Sequence, residues 1–259
     1  MITSYFFDFD GTLQGFDSHQ ISDSTKEALY LLKKKGSKLF LATGRNLIDT
    51  PKELEKLGFD GYINNNGGRC SDGNRNSFYT AYLPQSDVEA LMRYSKIHDF
   101  AYSIMTEQSF QINRVTEYVE LSFQYFKLDF PKLINYDEIE LDKIMQMNLF
   151  VDEVQEHEIM KQVMPNCNSS RWMSYFADIN PKGISKMKGI EKMAERYQID
   201  LTRLMAFGDG GNDILMIQGC TIGVAMGNAN QSLKDVADYV TTSADDDGIW
   251  NALKFYELI

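Results

Sequence analysis

The sequence predicts an α/β fold in which a largely parallel sheet is wrapped by helices and interrupted by a smaller α+β unit. Three observations predict it. β-Branched or aromatic runs alternate with helical segments over residues 1–81 and again over 181–259. Residues 82–180 break that alternation with Tyr- and Phe-rich stretches. Three strand ends run into polar or Gly-rich turns, as βα junctions do.

In order, Ile2 to Phe9 is an apolar strand ending in an acidic Gly turn. Ser24 and Glu27 have the spacing of a capping box, Ala28, Leu29, Leu31 and Leu32 give the helix after it an apolar face, and Gly36 ends it. Lys38 to Ala42 is a short strand, followed by Thr43-Gly44-Arg45, a helix to about Leu57, a strand at Tyr62-Ile63 and the turn-rich run Asn64 to Gly68. In the middle segment a helix opens at Ser86, with Glu89 completing a second capping box. The alternation returns with a helix over Ser185 to Tyr197, a strand over Leu204 to Phe207, a Gly-Asp turn with a short helix, and a strand over Thr221 to Ala225. A helix over Ser232 to Ala237, a strand at Tyr239-Val240 and an amphipathic helix from Gly248 complete it. No linker or repeat marks the joins, so the boundaries rest on the change of pattern: 1–81 with 181–259, and 82–180 inserted.

Composition narrows the partners. Lys and Arg number 26 against 37 Asp and Glu in 259 residues, a formal charge of −11. That balance argues against a nucleic-acid groove or a polybasic membrane surface. The insert carries 16 acidic and 8 basic residues, so most of the excess lies there and a highly polyanionic partner is disfavoured. No apolar run reaches the roughly 20 residues of a membrane span, and the first residues lack a cationic n-region, so no secretory signal is read and a cytoplasmic protein is expected. Cys70, Cys167 and Cys220 are odd in number and far apart, which predicts free thiols. His19, His98 and His157 lack ligand spacing, which argues against structural zinc.

The chemistry gathers at three junctions: Asp8-Phe9-Asp10-Gly11-Thr12, Thr43-Gly44-Arg45 and Gly208-Asp209-Gly210-Gly211-Asn212-Asp213. In an open parallel sheet ligands bind outside the carboxyl ends of the strands. All three share that edge if their strands are neighbours. Asp8 and Asp10 are two residues apart, so extended backbone aims both to one side, and Asp209 adds a further carboxylate. Such hard oxygens repel one another unless a cation lies between them, and carboxylate with water suits Mg²⁺. The Rossmann fingerprint would need glycine where Asp213 stands, and no P-loop pattern occurs. Singly, each junction also reads as an ordinary turn; together and in this order they do not.

With these residues the chain resembles the haloacid dehalogenase-like phosphatase superfamily, in its Cof-type branch with a large C2B-type cap. The resemblance spans essentially the whole chain and rests on 8–12, 43–45, the Lys186 region and 208–213. It implies a Rossmann-like core with an inserted α/β cap, a nucleophile at Asp8 and a general acid/base at Asp10. It implies Mg²⁺ held by Asp8, the Asp10 carbonyl and Asp209, with Asp213 and Asn212 in support, and a phosphoryl group met by Thr43 and Lys186. Gly44 belongs to the same phosphate-binding turn. Lys182, Lys186 and Lys188 compete for the lysine role; Gly183-Ile184-Ser185 before Lys186 matches the family spacing, although Met187 stands where glycine is common. Arg45 reaches a second anionic group of substrate or forms a surface salt bridge, and Asn66 is a further substrate-contact candidate.

The expected function is a Mg²⁺-dependent phosphatase of small phosphorylated metabolites such as sugar phosphates, acting as a monomer or weak homo-oligomer. A phosphomutase of the same superfamily and a non-catalytic binder of a phosphorylated ligand are the alternatives. Asp245-Asp246-Asp247-Gly248 lacks the spacing of a calcium loop and reads as helix N-terminal acids. The aromatics Tyr118, Phe123, Tyr125, Phe126, Trp172, Tyr175 and Phe176 read mainly as core of the insert, with a sugar pocket as the alternative.

Overall fold

The computed structural model describes residues 2–126 and 129–259; the side chains of Phe126 and Trp172 lie outside the described set. The first stretch contains β1 (Ser4–Phe7), α1 (Asp23–Lys34), β2 (Lys38–Ala42), β3 (Gly61–Asn64), β4 (Arg69–Asp72) and β5 (Ser77–Thr80). Then come α2 (Gln85–Tyr94), β6 (Ala101–Met105), β7 (Phe110–Ile112), α3 (Glu117–Phe126), β8 (Lys132–Leu133), β9 (Gln146–Phe150), α4 (Glu153–Gln162), β10 (Cys167–Met173) and β11 (Phe176–Pro181). The chain closes with α5 (Lys186–Tyr197), β12 (Leu204–Gly208), α6 (Ile214–Gly219), β13 (Ile222–Ala225), α7 (Gln231–Lys234), β14 (Tyr239–Val240) and α8 (Gly248–Phe255).

Two compact units result, one from residues 1–45, 49–79 and 185–259, the other from 46–48 and 80–184. The first holds an eight-stranded sheet in the order β14-β13-β12-β1-β2-β3-β4-β5. It is parallel from β14 to β3, and β4 runs antiparallel to β3. Its central strands are apolar on both faces because both faces are covered. Tyr5, Phe7, Leu39, Leu41 and Phe207 pack with Ala28, Leu29 and Leu32 of α1 and Ile249 and Leu253 of α8. Phe6, Phe40, Ile63 and Ala206 pack with Ile190 and Met193 of α5 and Met216 and Ile217 of α6. Strand β1 is flanked by β2 on one side and β12 on the other, so the crevice opens at the carboxyl end of β1.

The second unit holds a six-stranded sheet, β10-β11-β9-β6-β7-β8, antiparallel except for the β7–β8 pair. Tyr102, Ile104, Met147, Leu149 and Ile179 form an apolar layer with Val88 and Leu91 of α2 and Ile159 of α4. Ala101, Phe150 and Phe176 pack with Val119 and Phe123 of α3. Of the aromatics singled out from sequence, Phe123 and Phe176 are therefore core, whereas Tyr118 and Tyr125 are exposed and Tyr175 stacks on Tyr118. Among the described residues no helix is long and apolar enough to cross a membrane, and the three cysteines are free and buried.

Several local expectations are corrected. Ser22, not Ser24, caps α1: its hydroxyl accepts from the Thr25 N–H at 3.2 Å, while Ser24 donates to Asp247. Helix α2 starts after Pro84 with no side-chain cap, and Glu89 instead accepts from the Gln85 side chain. The segment before Leu57 forms two 3₁₀ turns, Leu47–Asp49 and Lys52–Leu57, because Pro51 removes an N–H and keeps the preceding residue from the helical region. Helix α7 spans only Gln231–Lys234. Asp245, in the first turn of the 3₁₀ segment Ala244–Asp246, has a tertiary role besides: its carboxylate accepts from the Asp17 and Ser18 N–H groups, each at 3.1 Å, and anchors the loop after β1.

Candidate active site

Register sets the site. Phe7 pairs with Leu41 of β2 and with Phe207 of β12, so the residues that follow these strands emerge level at one edge. Asp8 leaves β1 with its N–H bonded to the Phe207 carbonyl at 3.0 Å, and its side chain is buried. Ser185 caps α5 by accepting from the Lys188 N–H, which fixes Lys186 in the first helical turn. The Lys186 ammonium is wholly buried and donates to Asp8 Oδ1 and Asp213 Oδ1, each at 2.6 Å. The competing lysines point elsewhere: Lys188 pairs with Glu191 at 2.7 Å and Lys182 reaches the Pro165 carbonyl at 3.5 Å.

Asp213 is held at both ends. Its Oδ2 accepts from the N–H groups of Asp209 and Gly210 at 3.0 and 2.9 Å, so it orients the turn that carries Asp209. Asp209 Oδ1 accepts from the Thr12 hydroxyl at 3.0 Å. Gly11, at φ +75°, lies so close to Asp209 that a Cβ there would meet Asp209 Oδ2 at 2.4 Å. One carboxylate oxygen from each of Asp8, Asp209 and Asp213 lies within 4.8 Å of the others.

Electrostatics follows from three buried carboxylates facing one ammonium. Burial pushes the Asp8 carboxyl up to about 7, Lys186 pulls against it, and Asp213 and Asp10 push further in the same direction. Asp209 is likewise raised well above the ordinary carboxylate value by burial and then by Asp8 and Asp213. Burial alone would lower the Lys186 ammonium, but Asp213 and Asp8 outweigh it, so Lys186 stays charged. A cluster two charges short of neutrality, with oxygen donors only, fits a hard divalent cation. Among the described residues Asp8 Oδ2 and Asp209 Oδ2 carry no hydrogen bond.

Thr43, just past β2, is buried; its hydroxyl accepts from the Arg45 N–H at 3.1 Å, which leaves its own proton to donate. Gly44 lies between them, partly exposed. Arg45 spends its guanidinium on Asp10, Nε to Oδ2 at 2.8 Å and Nη2 to Oδ1 at 2.6 Å. Asn66, at φ +53°, has its N–H on the Thr43 carbonyl and its side-chain oxygen on Asn212 Nδ2 at 2.9 Å. Gly67 follows at φ +98° against Ser185, where a Cβ would lie 2.0 Å from the carbonyl oxygen. The ten site residues expected from sequence thus all lie in the first unit. Two further residues support the site: Thr12, inside the first motif, and Asn228, which donates to the Gly11 carbonyl at 2.8 Å and accepts from Ala244 N–H at 2.9 Å and carries no sequence signal beyond a turn-forming residue type.

Comparison with known proteins agrees with this geometry. Residues 5–253 match the family described as haloacid dehalogenase-like hydrolase. A Bacillus subtilis (strain 168) protein named "Putative phosphatase YkrA" is 33% identical over 252 residues, covering 96% of this chain and 95% of the relative. Among solved structures, the phosphatase BT1666 from Bacteroides thetaiotaomicron superposes with a TM-score of 0.92 at 33% identity, over 100% of this chain and 96% of that one. The subclass IIB sugar phosphatase BT4131 superposes with a TM-score of 0.90 at 35% identity, over 99% of this chain and 100% of that one.

Proposed function

The chain belongs to the haloacid dehalogenase-like hydrolase family and is one of its phosphatases; on that premise we propose that it is a Mg²⁺-dependent phosphomonoesterase of small phosphorylated metabolites, sugar phosphates foremost. The observation that carries the reading is Asp8 itself, a buried carboxylate fixed through Oδ1 by Lys186 with Oδ2 open to attack. The neighbours' names, one a sugar phosphatase and another a 5-amino-6-(5-phospho-D-ribitylamino)uracil phosphatase, support a small polyhydroxylated leaving group.

Asp8 Oδ2 attacks phosphorus in line and the bond to the leaving oxygen breaks as that oxygen takes a proton from Asp10, which enters this step as the neutral acid and leaves it as the carboxylate. Water then attacks the aspartyl-phosphate, gives a proton to Asp10 and releases phosphate, restoring the Asp8 carboxylate. One hard displacement becomes two easier ones, and the proton transfers contribute about 10²–10⁴-fold. Lys186 and the Thr43 hydroxyl donate to the phosphoryl oxygens, and Asn212, steadied by Asn66, lines the same edge. Asp8, Asp209 and the Asp10 carbonyl would hold Mg²⁺, with Asp213 completing the acidic set. When bound, the ion supplies positive charge against the phosphoryl oxygens. We read the 82–180 insert as the part that selects the leaving group, and the protein as cytoplasmic.

Phosphate release from a panel of phosphorylated metabolites tests the reading. Wild-type protein should turn over sugar phosphates, EDTA should silence it and Mg²⁺ restore it, and Asp8→Asn should show background rates at a retained fold. Undiminished activity in Asp8→Asn, or activity that survives EDTA, would sink it.

A further inference from the structure

Asp10 lies three residues past the end of β1, just before Gly11, and among the described residues Arg45 alone holds its side chain by hydrogen bonds. Two guanidinium N–H groups meet the two carboxylate oxygens in a fork, the geometry that fixes both distance and plane. A third, Nη1, donates to the Asp49 carbonyl at 3.2 Å. The guanidinium also lies over the Phe9 ring, 4.8 Å from its centroid. The backbone is fixed as well: Arg45 N–H donates to Thr43 Oγ1, and its carbonyl accepts from Asn65 N–H and Asn64 Nδ2, each at 3.1 Å. Both side chains of the pair are about four-fifths hidden, at 20% and 21% exposure. To bind an anionic group of substrate, this fork would have to abandon Asp10.

We infer that Arg45 is a positioning residue for Asp10, holding its carboxylate in the orientation the two proton transfers require, and not a substrate contact. The inference rests on the acid/base reading of Asp10 given above. A carboxylate without such a partner samples several staggered rotamers, only some of which face the leaving oxygen and later the attacking water. Holding one of them removes that search from each proton transfer. Lysine keeps the charge but cannot reproduce the fork.

Kinetics of Arg45→Ala, Arg45→Lys, Asp10→Asn and the Arg45→Ala/Asp10→Asn double variant test this on two substrates. One is a hexose phosphate, whose alkoxide needs a proton to leave; the other is 4-nitrophenyl phosphate, whose phenolate leaves largely without one. Arg45→Ala should lower kcat for the hexose phosphate about 10- to 100-fold, a part of the proton-transfer contribution, with KM changed less than about threefold. The first-turnover burst of 4-nitrophenolate should be nearly spared, and guanidinium ion in solution should restore part of the Arg45→Ala rate. In the Asp10→Asn background Arg45→Ala should cost nothing further, because the two residues act as one unit. A KM raised tenfold with kcat retained, or losses that multiply in the double variant, overturns the inference and returns Arg45 to substrate binding. If Arg45→Ala does not fold, Arg45→Lys carries the same comparison. An inactive Asp10→Asn beside a fully active Arg45→Ala sinks the inference alone, whereas a fully active Asp10→Asn removes the acid/base reading and the inference with it.

Discussion

Asp8 should make the cation-free protein less stable as pH rises, and Asp8→Asn should abolish much of that dependence. The Asp8 carboxyl is raised from 3.8 to about 7. Between those values the folded protein keeps a proton that the unfolded chain has lost. Protonation therefore favours the folded state, and its contribution is full below about pH 4 and lost as pH climbs through about 7. The slope in that window is about 1.4 kcal/mol per pH unit for each such group. A rise from about pH 5.5 to about pH 7, tapering near the midpoint, should cost on the order of 2 kcal/mol through Asp8. Asp209, raised in part by the Asp8 charge, acts in the same direction, so Asp8→Asn removes one titrating site and relaxes a second. Urea unfolding of EDTA-treated protein across this range measures both slopes. If Asp8→Asn falls as steeply as the wild type, buried carboxylate repulsion is not the source and the electrostatic account of the site is wrong.

Other outcomes follow from the same geometry. Mg²⁺ at a hundredfold excess over Kd should stabilise the fold by about 2.7 kcal/mol, and a fixed Mg²⁺ concentration should raise the unfolding midpoint more at pH 8 than at pH 5.5, because the carboxylates must ionise to bind it; Asp209→Asn should lose that shift, and a shift equal at both pH values would contradict it. Lys186→Met leaves Asp8 and Asp213 buried without their ammonium and should cost about 3–5 kcal/mol in EDTA, so a loss under about 1 kcal/mol by denaturant titration would refute the pairing. Gly67→Ala places a Cβ 2.0 Å from the Ser185 carbonyl oxygen at a φ of +98° and should cost about 2 kcal/mol or more. Because Ser185 caps the helix that starts at Lys186, turnover should fall with the thermal midpoint; a neutral result in circular-dichroism melts would show that the loop yields freely.

The parallel core was legible because its signals are local and redundant. Phe6 and Phe7 must face opposite sides of β1, and both are fully buried, which demands a strand covered on two faces. Caps were less legible because Ser22 and Ser24 carry the same hydroxyl two residues apart, and neighbours choose between them: Thr25 N–H takes Ser22, and Asp247, 223 residues away from Ser24, takes the other. The helix expected before Leu57 failed for a reason that was in plain sight, since Pro51 sits inside it.

The site shows a different division. Each motif announces its own residues, but what those residues do to one another depends on strand order, which no local pattern states. Once β1 is known to lie between β2 and β12 with Phe7 level with Leu41 and Phe207, the rest is forced. Asp10, three residues past that level, must come near Arg45, four residues past it on the next strand. Arg45 could be read from sequence as a substrate contact or as one half of a salt bridge because its partner is 35 residues away. Lys186 was the harder placement still, separated from Asp8 by 178 residues. Its nearest rivals, Lys182 and Lys188, carry the same charge, and what separates them is the Ser185 cap: it starts the helix one residue before Lys186, so Lys186 turns into the buried edge while Lys188 pairs with Glu191 on the helix's partly exposed side.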